Sequence, residues 1–86
     1  MTSEECVALI KRHFQCVWME DDALPHDRER LWPAVERLTG MRHGPEMPPP
    51  IEKVDGGDCT WLVYDQWVIC VSFPGQTAIY RRLAES

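Results

Sequence analysis

The amino-acid sequence predicts a single α+β domain over residues 1–86, with two or three N-terminal helical segments packed on a C-terminal antiparallel β-meander of three, or four, strands. Two observations lead to this prediction. Up to about residue 40, apolar residues recur every three or four positions, which is typical of helices. From residue 59 to residue 83, short runs rich in aromatic and β-branched residues alternate with turn residues, which is typical of strands. A chain of this length supports one modest core.

The first helix is predicted at about residues 3–18. Thr2 and Glu5 have the spacing of a capping box, so the helix should begin near Ser3. A continuous apolar face then follows at helical spacing, through Val7, Ile10, Phe14 and Val17.

A second helical part is predicted to end at Gly40, a residue that favours helix C-termini. Asp22 is a suitable N-terminal cap, and Pro25 is tolerated in a first turn. The apolar stripe of this part consists of Leu24, Leu31, Val35 and Leu38. Pro33 removes a helical hydrogen bond at a cost of ~3 kcal/mol. The sequence therefore predicts either one helix kinked at Pro33 or two short helices that meet there.

The second half begins with a loop rich in proline and glycine at about residues 41–58, in which residues 51–54 are the candidate for a fourth strand. Three strands are then predicted, at 59–64, 67–73 and 76–83. Alternation along the middle strand places Trp67 and Ile69 on one face of the sheet, and Val68 and Cys70 on the other. Both faces are apolar, so we expect the helices to cover one face and the other to be partly exposed or covered by a partner.

The charge and the cysteine content indicate a cytoplasmic protein with an acidic surface. The net charge is −5, and no stripe of Lys and Arg is visible, which argues against direct binding of nucleic acid. The first residues are polar and acidic rather than those of a secretory signal, and no apolar run reaches the ~20 residues of a membrane span. In the cytoplasm the four cysteines are expected to be reduced thiols.

No motif for catalysis, a metal or a cofactor stands out. Cys6, His13 and Cys16 share a predicted helix but lack the short paired spacing of a structural zinc site. A reactive thiol needs a cation or a helix N-terminus nearby and an ordered base, and the sequence shows neither. We therefore expect no metal, no cofactor and no enzymatic activity. A small cysteine-dependent enzyme ranks third among the functions considered.

Two sets of residues are predicted to contact a protein partner. Acidic residues before the second helix and in the loop before the sheet suit a partner with a basic surface. Aromatic residues of the sheet are typical interface anchors, and four tryptophans are many to bury in so small a fold. The predicted contact residues are Glu20, Asp21, Asp22, Asp27, Asp55, Asp58, Tyr64, Trp67 and Tyr80.

The function expected from these observations is that of a stand-alone, acidic protein-binding module that masks or inhibits a partner, in particular one that acts on nucleic acid. Immunity proteins, antitoxins and phage-encoded inhibitors of host defence share this general description. The alternative is a structural subunit or homodimer that buries an apolar face of the sheet.

Overall fold

The chain forms two helices and a five-stranded antiparallel sheet, in a computed structural model that describes residues 3–23, 28–42, 44–56, 59–72 and 75–84. The helices are α1 (Ser3–His13) and α2 (Arg28–Thr39). The strands are β1 (Phe14–Ala23), β2 (Glu52–Asp55), β3 (Thr60–Val63), β4 (Trp67–Val71) and β5 (Gly75–Arg82). Across the sheet their order is β1-β5-β4-β3-β2. The α+β class is therefore confirmed, but the prediction of three or four strands is wrong.

The additional strand is β1, which the sequence assigned partly to the first helix. Apolar residues at positions 10, 14 and 17 fit a helical period, but α1 ends at His13 and the chain continues directly as a strand of ten residues. This segment pairs with β5, from Phe14 opposite Arg82 to Ala23 opposite Gly75. Its aromatic and β-branched residues suit a strand, and the hydrogen bonds to β5 decide between the two structures. Asp22 accordingly lies within β1 and does not cap a helix.

The two helices cover opposite faces of the sheet, because β1 joins them. Ile10 of α1 belongs to one buried cluster with Val68 and Tyr80, whereas Leu31 of α2 belongs to another with Ile69. Neighbouring residues such as 68 and 69 point to opposite faces of a strand, so each helix has a face of its own. The expectation that both helices pack on one face, and leave an apolar face for a partner or a second copy, is wrong.

Pro33 lies inside a single helix of 12 residues, so the sequence's alternative of two short helices is not adopted. The proline is the sixth residue of α2 and is exposed to solvent. Its missing N–H would have reached back to Glu29, in the first turn, so the helix loses one hydrogen bond near its beginning. Three apolar residues of α2, Leu31, Ala34 and Val35, are buried against the sheet and hold the helix in place.

The predicted meander is confirmed with small shifts of its ends. The face assignment of the middle strand holds, since Val68 and Cys70 lie with α1 and Ile69 lies with α2. The expectation of four reduced cysteines is wrong, because Cys59 and Cys70 are joined by a disulfide. Cys70 lies in β4 and Cys59 directly precedes the neighbouring strand β3, with Cα atoms 6.3 Å apart, a separation that suits such a bond.

Candidate protein-contact site

The structure distributes the predicted contact residues over several places. Tyr80 is a core residue: it is 8% exposed, and its ring centroid lies 5.5 Å from that of Trp61. It therefore has almost no accessible surface for the partner contact predicted for it. Glu20 and Asp21 lie on β1, whereas Asp55 ends β2. These are the two outer strands, separated by four strand spacings of ~4.8 Å, or roughly 19 Å, so the acidic residues do not form one patch. Asp27 and Asp58 lie outside the described residues, as does the side chain of Asp22.

Trp67 and Tyr64 are brought together with the proline-rich segment around an open apolar groove of about 340 Å³, here called the Trp67 groove. Trp67 is half-buried, and Tyr64 is buried at 7% exposure. Ile51, which also lines the groove, is 73% exposed, the largest exposure among the large apolar side chains of the described residues. The groove is lined by Met41, Pro48, Pro49, Ile51, Tyr64, Asp65, Gln66 and Trp67.

The turn between β3 and β4 forms one wall of the Trp67 groove, and hydrogen bonds fix its shape. The N–H of Tyr64 donates to the carbonyl of Trp67 at 2.7 Å and closes the hairpin. Arg82 binds the two residues at the tip: its backbone N–H donates to the carbonyl of Gln66 at 2.8 Å, and its Nε donates to the carbonyl of Asp65 at 2.7 Å. A turn held at these three points needs little ordering when a ligand binds.

The other walls of the Trp67 groove are fixed to the same framework. The N–H of Ile51 donates to the carbonyl of Val63 at 2.8 Å, which extends the pairing of β2 with β3 by one residue. Gly40 ends α2 with a positive φ of 78° and donates its N–H to the carbonyl of Glu36 at 3.0 Å. Met41, the next residue, donates its N–H to Oγ1 of Thr39 at 3.1 Å. The groove is therefore built on the sheet and on the end of a helix.

The Trp67 groove is mainly apolar, with one carboxylate in its lining. That carboxylate belongs to Asp65, which is exposed. Burial raises the pKa of Tyr64 above its usual value, so this tyrosine is neutral at physiological pH. The groove thus offers an apolar floor for one side chain, and a carboxylate at its edge for a cation.

A second cavity of about 160 Å³ lies under α1, and it holds the residues with the most potential for chemistry. Cys6 and His13 both line it, but they are seven residues apart on one helix, which corresponds to about 10 Å. The remaining lining residues are Leu9, Ile10, Phe14, Glu52, Val54, Val63 and Arg82. Within the described residues, no three side chains among His, Cys, Asp and Glu are grouped so that they could hold a metal ion.

The sequence predicted Trp67 and Tyr64 as partner-contact residues, and both line the groove, but it did not indicate the groove's other lining residues. Ile51 was read only as the start of a strand, and Met41 as part of a loop. The proline triplet before Ile51 was the available signal, since such segments stay extended and often form contacts.

No known protein family, curated protein or solved structure matches the chain. Among the described residues, neither helix is long and apolar enough to cross a membrane. The fold and the site together define a small α+β domain with a preformed apolar groove.

Proposed function

We propose that this chain is a protein-binding module, which uses the Trp67 groove to mask or inhibit a partner with a basic surface. The main support is the groove itself: its lining combines a half-buried tryptophan with an exposed isoleucine and two prolines, and hydrogen bonds hold the walls in place. Aromatic residues in preformed apolar depressions are the usual centres of protein interfaces.

The groove and the charge indicate what kind of partner binds. An apolar side chain of the partner enters between Ile51 and Trp67 and displaces water from both. A Lys or Arg of the partner lies at the rim near Asp65. The net charge of −5 increases the rate at which a basic partner is encountered and lowers the affinity for phosphate backbones. A partner that acts on nucleic acid has such a basic surface, and binding there would block it.

The third function considered is a cysteine-dependent enzyme. Two of the four cysteines have a free thiol that could act as its nucleophile. Cys59 and Cys70 are bonded to each other and supply no thiolate in this state. Cys6 and Cys16 are free, the first half-buried beside the small cavity and the second exposed on β1.

Site-specific photo-crosslinking tests the proposed function. A photoreactive amino acid is placed at position 51 in the groove and, as the matched control, at position 83, where Leu83 is also exposed but lies outside the groove. In an extract of the host cell, we expect one protein to be captured from position 51 and not from position 83. Added salt should reduce the yield, because exposed charges are screened over ~8–10 Å at physiological ionic strength.

Affinity measurements with the captured protein complete the test. Ile51→Ser should weaken binding by ~30-fold, which corresponds to the ~2 kcal/mol of an interface anchor. Leu83→Ser should leave the affinity unchanged. Because Ile51 is exposed, neither substitution should affect folding. Equal capture from both positions, or wild-type affinity for Ile51→Ser, would show that the groove is not the contact surface.

A further inference from the structure

Within the part of the chain that the structure describes, β1 is an outer strand of the sheet and pairs on one side only, with β5. At the opposite edge, β2 is protected in the ordinary way: it has only four residues, and Glu52, Lys53 and Asp55 are charged and exposed. β1 is less protected along its first part. It is ten residues long, and from Phe14 to Met19 it contains no charged residue and no proline, whereas acidic residues follow from Glu20 onward. An uncharged edge segment of this length is a template for pairing with another strand.

The middle of β1 also exposes apolar side chains. Val17 is 40% exposed, Met19 is 48% exposed, and the thiol-bearing Cys16 is exposed as well. A strand added along this edge would cover part of these side chains and would bind the outward N–H and C=O groups. The register with β5 shifts between Cys16 and Trp18, so Val17 is a bulge, and it shifts again between Glu20 and Ala23. Bulges interrupt ladders, and we therefore expect pairing in two short ladders on either side of Val17.

The charges at the two ends of β1 identify the added strand. The last turn of α1 carries Lys11, Arg12 and His13 and leads directly into β1, so one end of the strand is basic. The other end carries Glu20 and Asp21. If two β1 strands pair in antiparallel orientation around a twofold axis near Val17, the basic end of each copy lies beside the acidic end of the other. The dimer then has two such charge contacts. Such an edge is complementary to itself in the antiparallel direction, whereas parallel pairing would bring like charges together.

The acidic end has charge available for this contact. Glu20 forms an ion pair with Arg30 of α2 at 2.6 Å, so these two side chains together carry no net charge. Asp21 is exposed, and it accepts a hydrogen bond from Nε2 of Gln76 at 2.9 Å. The glutamine is neutral, so the negative charge of Asp21 is not compensated by this bond.

We propose that two copies of the chain associate through their β1 edges in antiparallel orientation, so that their two five-stranded sheets become one sheet of ten strands. The Trp67 groove lies at the β3–β4 turn and takes no part in this contact. A dimer of this kind presents two grooves and binds a repeated partner with an increased effective affinity.

A charge-exchange experiment tests the proposal. All proteins carry Cys16→Ser, so that a disulfide between exposed thiols cannot imitate the dimer. In sedimentation equilibrium, we expect the parent to be a dimer that dissociates on dilution and at high salt. Asp21→Lys and Arg12→Glu, each alone, place like charges together twice and should raise the dissociation constant at least tenfold. Mixed in equal amounts, these two variants should form a heterodimer, because both contacts become attractive again.

Ile51→Lys is the matched control, since it places a lysine on an exposed apolar residue away from β1 and should leave the dimer intact. A parent that stays monomeric at millimolar concentration would overturn the proposal. So would a mixture of the two charge variants that associates no better than either alone, or a dimer that Ile51→Lys dissociates. Photo-crosslinking from position 51 reports on the groove independently, so failure of the dimer and failure of the proposed function are separate results.

Discussion

The guanidinium of Arg82 lies over the ring of Phe14, 4.6 Å from the ring centroid, and so joins the last residue of β5 to the first residue of β1. The same side chain donates to the carbonyl of Asp65 in the turn between β3 and β4. One arginine therefore connects the beginning of the edge strand with a wall of the Trp67 groove. Cation–π contacts of this kind contribute ~0.5–2 kcal/mol, and a hydrogen bond from a charged donor contributes ~1.5–3 kcal/mol.

Arg82→Met should lower the free energy of unfolding by ~1–2 kcal/mol, since it keeps most of the aliphatic stem and removes both polar contacts. Arg81→Met is the control, because Arg81 is the exposed neighbour on the same strand. Urea denaturation of the two variants measures the difference. Equal losses for both would mean that the contacts to Phe14 and Asp65 contribute nothing to stability.

The disulfide between Cys59 and Cys70 should stabilise the fold, because it closes a loop between residues 11 positions apart in the unfolded chain. In the chain-entropy model, closing a loop of this size raises the free energy of unfolding by about 2–3 kcal/mol. Replacing both cysteines by serine should therefore lower Tm by several degrees, and adding reductant should lower Tm in the parent but not in the double variant. Cys16→Ser, at an exposed position, is the control. A melting curve of the parent that is insensitive to reductant would contradict this expectation.

Gly75 should tolerate no side chain, for two reasons. Its φ is 145°, which side chains of L-residues rarely adopt, and a Cβ at this position would overlap Oγ of Ser72. Gly40 also has a positive φ, of 78°, but a Cβ there would meet no atom within 4 Å. Gly40→Ala should lower the free energy of unfolding by ~1–2 kcal/mol through backbone strain alone. Gly75→Ala should lower it by more. Denaturant titration ranks the two variants, and the reverse order would disprove the role assigned to the contact with Ser72.

The free energy of unfolding should fall above pH 10, where the two tyrosines of the chain ionise. Burial raises the pKa of Tyr64, and burial together with the charge of a Cys16 thiolate raises the pKa of Tyr80. As the pH rises, the phenols of the unfolded chain therefore lose their protons near the ordinary pKa of 10.0, whereas the phenols of the folded chain still retain theirs. The stabilisation is therefore complete below pH 10 and is lost as the pH rises from there through the raised values.

Ultraviolet titration of the phenolate absorbance measures this effect directly, since the chain has only two tyrosines. Tyr64→Phe and Tyr80→Phe assign the two transitions, and each should reduce the loss of stability between pH 9 and pH 11. Cys16→Ser should lower the pKa of Tyr80 and leave that of Tyr64 unchanged. Two transitions at the ordinary value would show that neither phenol is desolvated.

The sequence by itself determined the parts of this protein that depend on local chemistry. Strands β3, β4 and β5 follow from runs of aromatic and β-branched residues between turns, and their boundaries differ from the prediction by one or two residues. The faces of β4 follow from simple alternation. Gly40 marks the end of α2, because glycine adopts a positive φ at little cost.

The tertiary structure decided what depends on partners distant in the chain. Residues 14–18 continue the helical period that predicted a helix to residue 18, but the hydrogen bonds to β5 make residues 14–23 a strand. That strand carries the chain from one face of the sheet to the other, so both faces are covered and the open surface is an edge. Trp67 and Tyr80 look alike in sequence, yet one borders a groove and the other is buried beside Trp61. The groove joins residues 41, 48–51 and 64–67, and these segments meet only because separate hydrogen bonds fix each of them to the same framework.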